Sequence, residues 1–539
     1  MRISRPVVLR RGLSHVMAIL LVWGATSAET LGAMTMLRTL AFADRTGAAA
    51  RKVKSSVTDG VSRGPDMRRR PGAPTAIARG RRPATAALVA VVAAIAFAVP
   101  AAASSSAPPC PDTVVPNAQI LPSALGCWNA IAVQAVRLDT AYPPQGLLYM
   151  GYVQGAVYDA VTKIEGRYVP YEDFDVPPAV HVAGASPDAA TAAAAYTMLT
   201  STFLGLAPAA QVGLSTKYAD YIDALGGLGA PPVAAGVAVG QAAAAGLIAN
   251  RAGDRDESIT FTPGPLTPGG WTFAPLPSLQ SSQTPWLAVM TPFMLKSPSQ
   301  FRSDPPPALS SAKWATDFNE IKAYGSVNSS VRSPEQTAIA QFWNANAVNQ
   351  SNQAFQDIAG AHGMDSVDAA RLLAMGDLID SDALIACWDS KFHYLFWRPV
   401  MAIRNAAIDG NPATQADPAW TPLLVTPNHP EYPAAHTCLS GAEAYVYSFV
   451  LRTPHIDVTL HGSADGTPNN FTAIRTIERA SQMRREVANA RVWGGLHYRN
   501  STAAGLLLGR DVARWTLRRF FQPVRSKHDH WEPPEDSTR

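Results

Sequence analysis

The sequence has few charged residues and few signs of β-strands. Of its 539 residues, 16% are Asp, Glu, Lys or Arg, whereas 47% are hydrophobic. A chain of this size can bury a sizeable core, and its length alone predicts about two to four domains. Since β-branched runs are scarce and Ala- and Leu-rich stretches carry apolar residues at helical spacing, we predict an all-α fold.

The main part of the chain also lacks an excess of basic residues. The first 103 residues hold 16 of the 45 Lys and Arg but only 4 of the 41 Asp and Glu, which leaves 29 basic and 37 acidic residues, a net charge of −8, in the remainder. A nucleic-acid partner would require a basic face. We therefore expect no nucleic acid among the partners of this protein.

The basic leader is typical of an export signal. Three arginines at positions 79, 81 and 82 precede the apolar run AALVAVVAAIAFAV at 86–99, and a small-residue cleavage pattern, PAAA, follows at 100–103. This run is shorter than the roughly 20 residues of a membrane-spanning helix. We predict a cleaved signal and a secreted, periplasmic or cell-surface protein, with an uncleaved membrane anchor as the alternative.

Composition divides the rest of the chain into four parts. We predict an N-terminal helical bundle at 104–252, a Pro/Gly-rich connector at 253–309, a C-terminal helical bundle at 310–522 and a polar tail at 523–539. After residue 103 we expect no segment that is apolar over 18 residues, and therefore no stable membrane span once the signal is removed.

The chain has only four cysteines, without a C-x-x-C pair or a zinc-ligand spacing. In an oxidising compartment, Cys110 and Cys127 can form a disulfide. Buried free thiols at Cys387 and Cys438 are the other interpretation, and the sequence leaves both open.

Two cations, Lys391 and Arg398, stand seven residues apart among aromatic residues in KFHYLFWRP. In a helix that begins near Ala369, this spacing would place both side chains on one face. Two neighbouring buried cations require an anion to compensate them. The alternative is a basic stripe on the protein surface.

Two further segments carry histidines. His436 follows Pro433 at the start of an amphipathic run, so we place it at a helix N-terminus, which favours anions. For Arg491 and His497, which flank two glycines, we predict one helix from about Ile474 to Arg491 and a second from about Ser501 to Phe520. Each segment alone also fits a structural role, as a capping histidine or a paired arginine.

Together the three segments predict an oxyanion pocket. Lys391, Arg398 and Arg491 supply three positive charges, and arginine donors match the oxygens of a tetrahedral anion such as phosphate or vanadate. His436 and His497 supply proton transfer and a nucleophile or ligand.

At these residues the sequence resembles vanadium-dependent haloperoxidases and type 2 phosphatidic acid phosphatases, in their bacterial haloperoxidase-like branch. The family signature is K-x6-R-P, then P-S-G-H, then S-R-x5-H-x3-D, and the likeness extends from about 150 to 520. It implies two packed helical bundles, as in vanadium chloroperoxidase, and vanadate or phosphate in the site. His497 would be the vanadium ligand, or the nucleophile of a phosphatase, and His436 the acid–base residue. The oxyanion oxygens would be held by Lys391, Arg398, Arg491 and the backbone N–H of Ala435.

The resemblance also implies substrates. They are hydrogen peroxide, a halide and an organic small-molecule acceptor. Trp388 matches a tryptophan near the halide region of fungal chloroperoxidases, and His429 stands where algal bromoperoxidases have His, so bromide is the favoured halide.

Four residues depart from the signature, among them Ala435, which replaces the glycine of P-S-G-H but whose backbone N–H can still donate. Ala434 replaces the serine that would donate to an oxyanion oxygen, and Ala490 replaces the serine before the arginine. Ser501 replaces the aspartate four residues after His497, so we expect no carboxylate behind that histidine. Such a loss can cost about 10–100-fold in metal affinity or activity.

Three functions therefore compete. The first is a secreted haloperoxidase; the second is a phosphatase acting through a phosphohistidine at His497, against which the missing aspartate counts. The third is a non-catalytic anion-binding helical protein, which the alanines and Ser501 favour.

Overall fold

A computed structural model describes residues 110, 121, 123–139, 142–274, 281–524 and 533. The predicted export signal and most of the polar tail lie outside these residues. The helices are α1 (Ala124–Leu138), α2 (Pro143–Glu165), α3 (Pro187–Leu199), α4 (Pro208–Gln211), α5 (Leu214–Ala224), α6 (Pro231–Asn250), α7 (Ala312–Tyr324), α8 (Pro334–Phe342), α9 (Ala347–Ala361), α10 (Ser366–Tyr394), α11 (Pro399–Arg404), α12 (Ala435–Leu451), α13 (Ala480–Trp493) and α14 (Arg499–Leu517).

The remaining regular structure is small. Three short 3-10 helices cover Pro285–Val289, Pro298–Phe301 and Ala406–Ile408, and two strands, β1 (His455–Gly462) and β2 (Ala473–Arg479), form an antiparallel pair. The all-α prediction is confirmed, since the described residues contain no other strand pair. The boundaries of the predicted bundles stay predictions.

The β1–β2 hairpin corrects the sequence analysis, which placed the start of a helix near Ile474. Side chains of β1 alternate between the core and the surface from His455 to Val458, and Val458 faces Ile477 of β2 across the pair. This period of two is a strand pattern, and it ends at Arg479, where α13 begins.

Most helices share one apolar core. Side chains of α1, α2, α3 and α6 pack together with those of α9, α10, α12 and α14. The contact between α12 and α14 is close: a Cβ added at Gly509 would lie 1.8 Å from the carbonyl oxygen of Cys438. Glycine therefore lets α14 approach the first turns of α12, which also carry His436.

A second, aromatic core lies beneath the segments that the sequence analysis singled out. Trp314 packs on Trp397, with 6.0 Å between the ring centroids, and on Tyr498 at 5.0 Å. All three side chains are buried, so the residues next to them in the chain, Arg398 and His497, have rigid support.

Helix α6 corrects the expectation about apolar segments. Its 20 residues have a mean hydropathy of 1.6 and suffice in length and composition for a membrane span, although 44% of the qualifying window is buried within the protein. In the structure α6 packs on α3, and a Cβ at Gly240 would meet the carbonyl oxygen of Ala190 at 2.3 Å.

The structure contains both the disulfide and the free thiols that the sequence left open. Cys110 and Cys127 form a disulfide, with 5.2 Å between their Cα atoms, whereas Cys387 and Cys438 are buried free thiols.

Candidate active site

Lys391 and Arg398 meet in the structure, but not on one helix face as the sequence analysis expected. Helix α10 ends at Tyr394, and Leu395 adopts a left-handed conformation with φ of 48°. Arg398 is the residue before α11. Pro399 disfavours helical geometry at the preceding residue, so the chain turns there. The two cations approach each other because both reach the loop 429–433.

The Lys391 ammonium is fully buried, which excludes a surface stripe. It donates to the carbonyl oxygens of Pro430, at 3.0 Å, Glu431, at 2.9 Å, and Pro433. Burial, together with the charge of Arg398, lowers the pKa of Lys391 to about 8. All three of its donor positions are thus directed at protein carbonyls.

Arg398 lies at the centre of the site. Its Nε donates to the carbonyl oxygen of His429 at 2.9 Å, and its Nη1 donates to that of Leu496 at 3.1 Å. The same Nη1 lies 3.1 Å from Nε2 of His497, while Nη2 lies 3.1 Å from Nδ1 of His429. Burial lowers the pKa of Arg398 to about 10, which still leaves it charged at neutral pH.

A carboxylate does lie behind His497, contrary to the expectation from Ser501. It belongs to Glu431, whose Oε1 lies 2.9 Å from Nδ1 of His497 and accepts the backbone N–H of Tyr498 at 3.1 Å. The hydroxyl of Ser501 donates to Oε2 of the same carboxylate at 2.6 Å. The expectation was wrong because the carboxylate comes from a loop 66 residues away in sequence.

Arg491 lies in the last turn of α13 and has few partners. Its Nη1 donates to the carbonyl oxygen of Trp343 at 3.2 Å and lies 3.5 Å from Oδ1 of Asn344. Its buried Nε has no hydrogen-bond partner among the described residues. After α13, Gly495 turns the chain with φ of 78°, and His497 comes two residues later. Burial lowers the pKa of Arg491 to about 9.

His436 lies in the first turn of α12, as predicted from its sequence context. Its side chain is half-buried and makes no hydrogen bond within the described residues. Burial lowers its pKa well below the usual value, and the charges of Arg491, Lys391 and Arg398 act in the same direction. The imidazole is therefore neutral at neutral pH and free to accept a proton.

The start of α12 has backbone N–H groups that have no acceptor within the helix. Ala434 precedes the helix without a side-chain cap, and its own N–H donates to the carbonyl oxygen of Ser501 at 3.1 Å. The N–H of Ala435, at the first helical position, belongs to the donors that a helix leaves without an internal acceptor. This donor lies at the start of the helix that also carries His436.

Trp388 and His429, the residues assigned to the halide region, are stacked on each other. Their ring centroids are 4.9 Å apart, and both side chains are buried. Nε1 of Trp388 donates to the carbonyl oxygen of Gln283 at 3.3 Å. Burial lowers the pKa of His429 well below its usual value, and the charge of Arg398 lowers it further.

The site carries more positive than negative charge. Lys391, Arg398 and Arg491 are buried with one carboxylate, Glu431, in contact with His497. Burial raises the pKa of Glu431 to about 7, although the hydrogen bond from Ser501 and the charges of Lys391 and Arg398 oppose this shift. The same cations, after burial itself, hold the pKa of His497 well below its usual value. Both pKa shifts are consistent with a neutral His497 that donates its Nδ1–H to Glu431.

An anion would compensate this excess charge. The unpaired Nε of Arg491 and the N-terminus of α12 are the donors that a tetrahedral oxyanion accepts. The described residues hold no group of three His, Cys, Asp or Glu side chains that could bind a bare metal ion. The residues present therefore fit an oxyanion held by cations and one histidine, as vanadate would be.

Part of this chain is similar to known proteins. Residues 371–526 match the family described as the VCPO second helical-bundle domain. The vanadium chloroperoxidase of Curvularia inaequalis is 28% identical over 176 residues, a match that covers 26% of this chain and 28% of that protein. These matches place residues 371–526 in the vanadium haloperoxidase superfamily.

Solved structures show the same fold. A bacterial vanadium-dependent iodoperoxidase superposes with a TM-score of 0.61 at 22% identity, covering 75% of this chain and 98% of that one. A holo-type bacterial vanadium-dependent chloroperoxidase gives a TM-score of 0.55 at 18% identity, covering 72% and 94%. The curated match, by contrast, spans little more than a quarter of its relative's length.

Glu431 is the residue that the sequence analysis missed. It is an acidic residue in the apolar, proline-rich stretch HPEYP, five positions before His436. A charge in such a stretch is unusual unless it is paired, which was a usable signal. Two other residues near Lys391 lie outside the site: Asp389 forms an ion pair with Arg302 at 2.7 Å, and His393 is exposed.

Proposed function

We propose that this protein is a vanadium-dependent haloperoxidase, which uses hydrogen peroxide to oxidise a halide. The observation that carries the proposal is the buried excess of positive charge beside two neutral histidines. Burying unpaired cations is unfavourable without an anion. Superfamily membership makes vanadate the leading candidate for that anion, and phosphate can occupy the same site.

The residues would divide the binding of vanadate among them. His497 presents the lone pair of Nε2 towards Arg398, because its Nδ1 carries the proton donated to Glu431. Arg398, Arg491 and the N–H of Ala435 would hold oxyanion oxygens, and Lys391 would exchange one carbonyl partner for an oxygen. Bound vanadate supplies a Lewis acid that activates peroxide without a change of oxidation state.

His436 would handle the proton. Its neutral, half-buried ring can accept a proton from hydrogen peroxide as the peroxide binds, and can return it to a departing oxygen. The charges of Arg491, Lys391 and Arg398 disfavour the imidazolium. Because these charges make the imidazolium of His436 less stable, release of the proton is favourable. His436 then returns to its neutral form.

Bromide is the halide that we propose, with an organic small molecule as the final acceptor. The support is the position of His429, stacked on Trp388 and in contact with Arg398. The names of the two structural neighbours specify iodide and chloride, so halide preference must be measured with all three ions.

We further propose that the protein acts outside the cytoplasm. The sequence of the leader supports export. The disulfide between Cys110 and Cys127 supports an oxidising compartment, because such bonds are rare in reducing ones.

The Glu431–His497 contact favours a second candidate, a phosphatase that acts through a phosphohistidine. A carboxylate that orients the imidazole is what the sequence analysis found missing for this chemistry, and the structure supplies it. The same contact weakens the non-catalytic alternative, which rested in part on Ser501.

One pair of assays on the purified full chain separates these functions. We expect bromination of a phenolic dye with hydrogen peroxide that depends on added orthovanadate and is lost in His497→Ala. His393→Ala, which removes an exposed histidine of α10, serves as the matched control. Hydrolysis of p-nitrophenyl phosphate, inhibited by vanadate, would instead support the phosphatase. Silence in both assays without vanadate binding would overturn both enzymatic proposals.

A further inference from the structure

Glu431 makes three hydrogen bonds through its side chain, and all come from the segment that contains His497. Oε1 accepts from Nδ1 of His497 at 2.9 Å and from the N–H of Tyr498 at 3.1 Å, and Oε2 accepts from Ser501 at 2.6 Å. The carboxylate is fully buried. Its contacts therefore fix one conformation of the loop that connects α13 and α14.

The hydrogen bond from His497 to Glu431 determines which ring nitrogen of His497 has a free lone pair. In its ionised form Glu431 only accepts hydrogen bonds, so Nδ1 of His497 carries the hydrogen and Nε2 keeps its lone pair. Nε2 is also the atom that lies 3.1 Å from Arg398, on the side of the three cations. Glu431 thus selects the tautomer and aims the reactive nitrogen into the pocket.

The position four residues after His497 gives this contact a further meaning. The superfamily signature has aspartate there, and this chain has Ser501, whose hydroxyl donates to the Glu431 carboxylate. In this chain the carboxylate is on the loop before α12 and not on α14, and the residue at the signature position, Ser501, hydrogen-bonds to it.

We propose that Glu431 is the positioning residue for His497, and that it replaces the aspartate of the superfamily in orienting this histidine towards the oxyanion. The inference rests on the proposed function for the identity of the anion. It does not rest on it for the contact itself, which is present in the protein alone.

A relocation experiment on the full chain tests this proposal. Glu431→Gln keeps the shape and an acceptor but removes the charge, and we expect vanadate affinity to fall about 10–100-fold, as for other residues that support a metal ligand. Ser501→Ala removes one hydrogen bond to the carboxylate, and its loss should be smaller. Glu431→Ala/Ser501→Asp returns a carboxylate to the superfamily position and should bind vanadate more tightly than Glu431→Ala.

Two readouts do not depend on turnover. Vanadate binding is measured by calorimetry, and the proton on Nδ1 of His497 by NMR, with the resonance assigned through its absence in His497→Ala. We expect the resonance in the wild type, its loss in Glu431→Ala and its return in Glu431→Ala/Ser501→Asp.

The outcomes are distinguishable. A double variant that recovers neither the resonance nor vanadate affinity, although it is folded, would show that Glu431 only stabilises the loop and would overturn the inference. Equal vanadate affinity in Glu431→Gln and the wild type would do the same. Absence of vanadate binding by the wild type would overturn the proposed function, while the NMR experiment would still decide the role of Glu431.

Discussion

Two buried polar regions of opposite charge lie along the same pair of helices. The cationic pocket contains Lys391 of α10 and His436 of α12, together with Arg398, Arg491, His497 and Glu431. The acidic cluster contains Asp377 and Asp380, which precede Lys391 on α10, and Glu443, which follows His436 on α12. There Asn352 donates to Asp377 at 2.9 Å, and Ser351 donates to Glu443.

The two regions solve the problem of buried charge differently. Burial raises the pKa of Asp377 and Asp380 well above the usual value, and neighbouring carboxyls raise it further. The acidic cluster can therefore become neutral by holding protons. Arginine has no such option near neutral pH, so the cationic pocket needs an anion. Excess buried positive charge is thus a better sign of a ligand site than excess buried negative charge.

The prediction with the largest expected effect tests whether catalysis depends on the cationic pocket and not on the acidic cluster. His436→Asn should lower kcat for bromide oxidation by about 100-fold or more, because a positioned proton acceptor contributes about 10²–10⁴-fold. Vanadate affinity, measured by calorimetry, should be retained, since His436 makes no hydrogen bond that holds the pocket together.

Glu443→Gln is the matched variant, seven residues further along α12 in the acidic cluster. We expect it to leave both kcat and vanadate affinity unchanged. Equal losses of kcat in the two variants would contradict the separation of the regions.

The second prediction concerns the charge excess itself. Arg491→Met removes a cation whose Nε has no hydrogen-bond partner among the described residues. We expect vanadate affinity to fall about 10–100-fold, because a hydrogen bond to a charged group contributes about 1.5–3 kcal/mol. Without anion, the free energy of unfolding should stay unchanged or rise, because an uncompensated buried charge is lost. Calorimetry and urea unfolding measure the two quantities.

Arg302→Gln is the control for this prediction, since Arg302 forms two hydrogen bonds of 2.7 Å with Asp389 outside the site. It should leave vanadate affinity unchanged. Wild-type affinity in Arg491→Met would show that the excess charge does not serve anion binding.

Much of the pocket could be predicted from the sequence because its parts are local motifs. His436 at a helix start follows from Pro433 and the amphipathic run, and the start of α12 at Ala435 agrees with it. The spacing of Lys391 and Arg398 suggested one helix face, which is wrong, yet the two cations still meet. The order of three motifs along the chain carried more information than the geometry assigned to any one of them.

The rest depended on contacts between distant segments. The contact of Glu431 with His497 joins the loop before α12 to the turn after α13, and no local pattern specifies that pairing. The β1–β2 hairpin differs from this contact, because a local pattern does indicate it. Polar and apolar residues alternate from His455 to Val458, and burial follows the same alternation. There the helical reading from Ile474 extended the pattern of α13 six residues too far towards the N-terminus.

The third prediction, which concerns stability and not activity, tests how the acidic cluster is neutralised. Because burial raises the pKa of Asp377 well above its usual value, we expect the folded protein to keep a proton that the unfolded chain releases above about pH 4. The free energy of unfolding therefore falls as pH rises from about 4 towards the raised pKa, by up to about 1.4 kcal/mol per pH unit for this group. Asp377→Asn, which cannot titrate, should gain stability relative to the wild type over the same window. Urea unfolding between pH 5 and 8, in buffers without phosphate, measures the difference. Parallel pH profiles would mean that Asp377 is ionised in the folded protein and paired with a cation, and the contrast between the two regions would then fail.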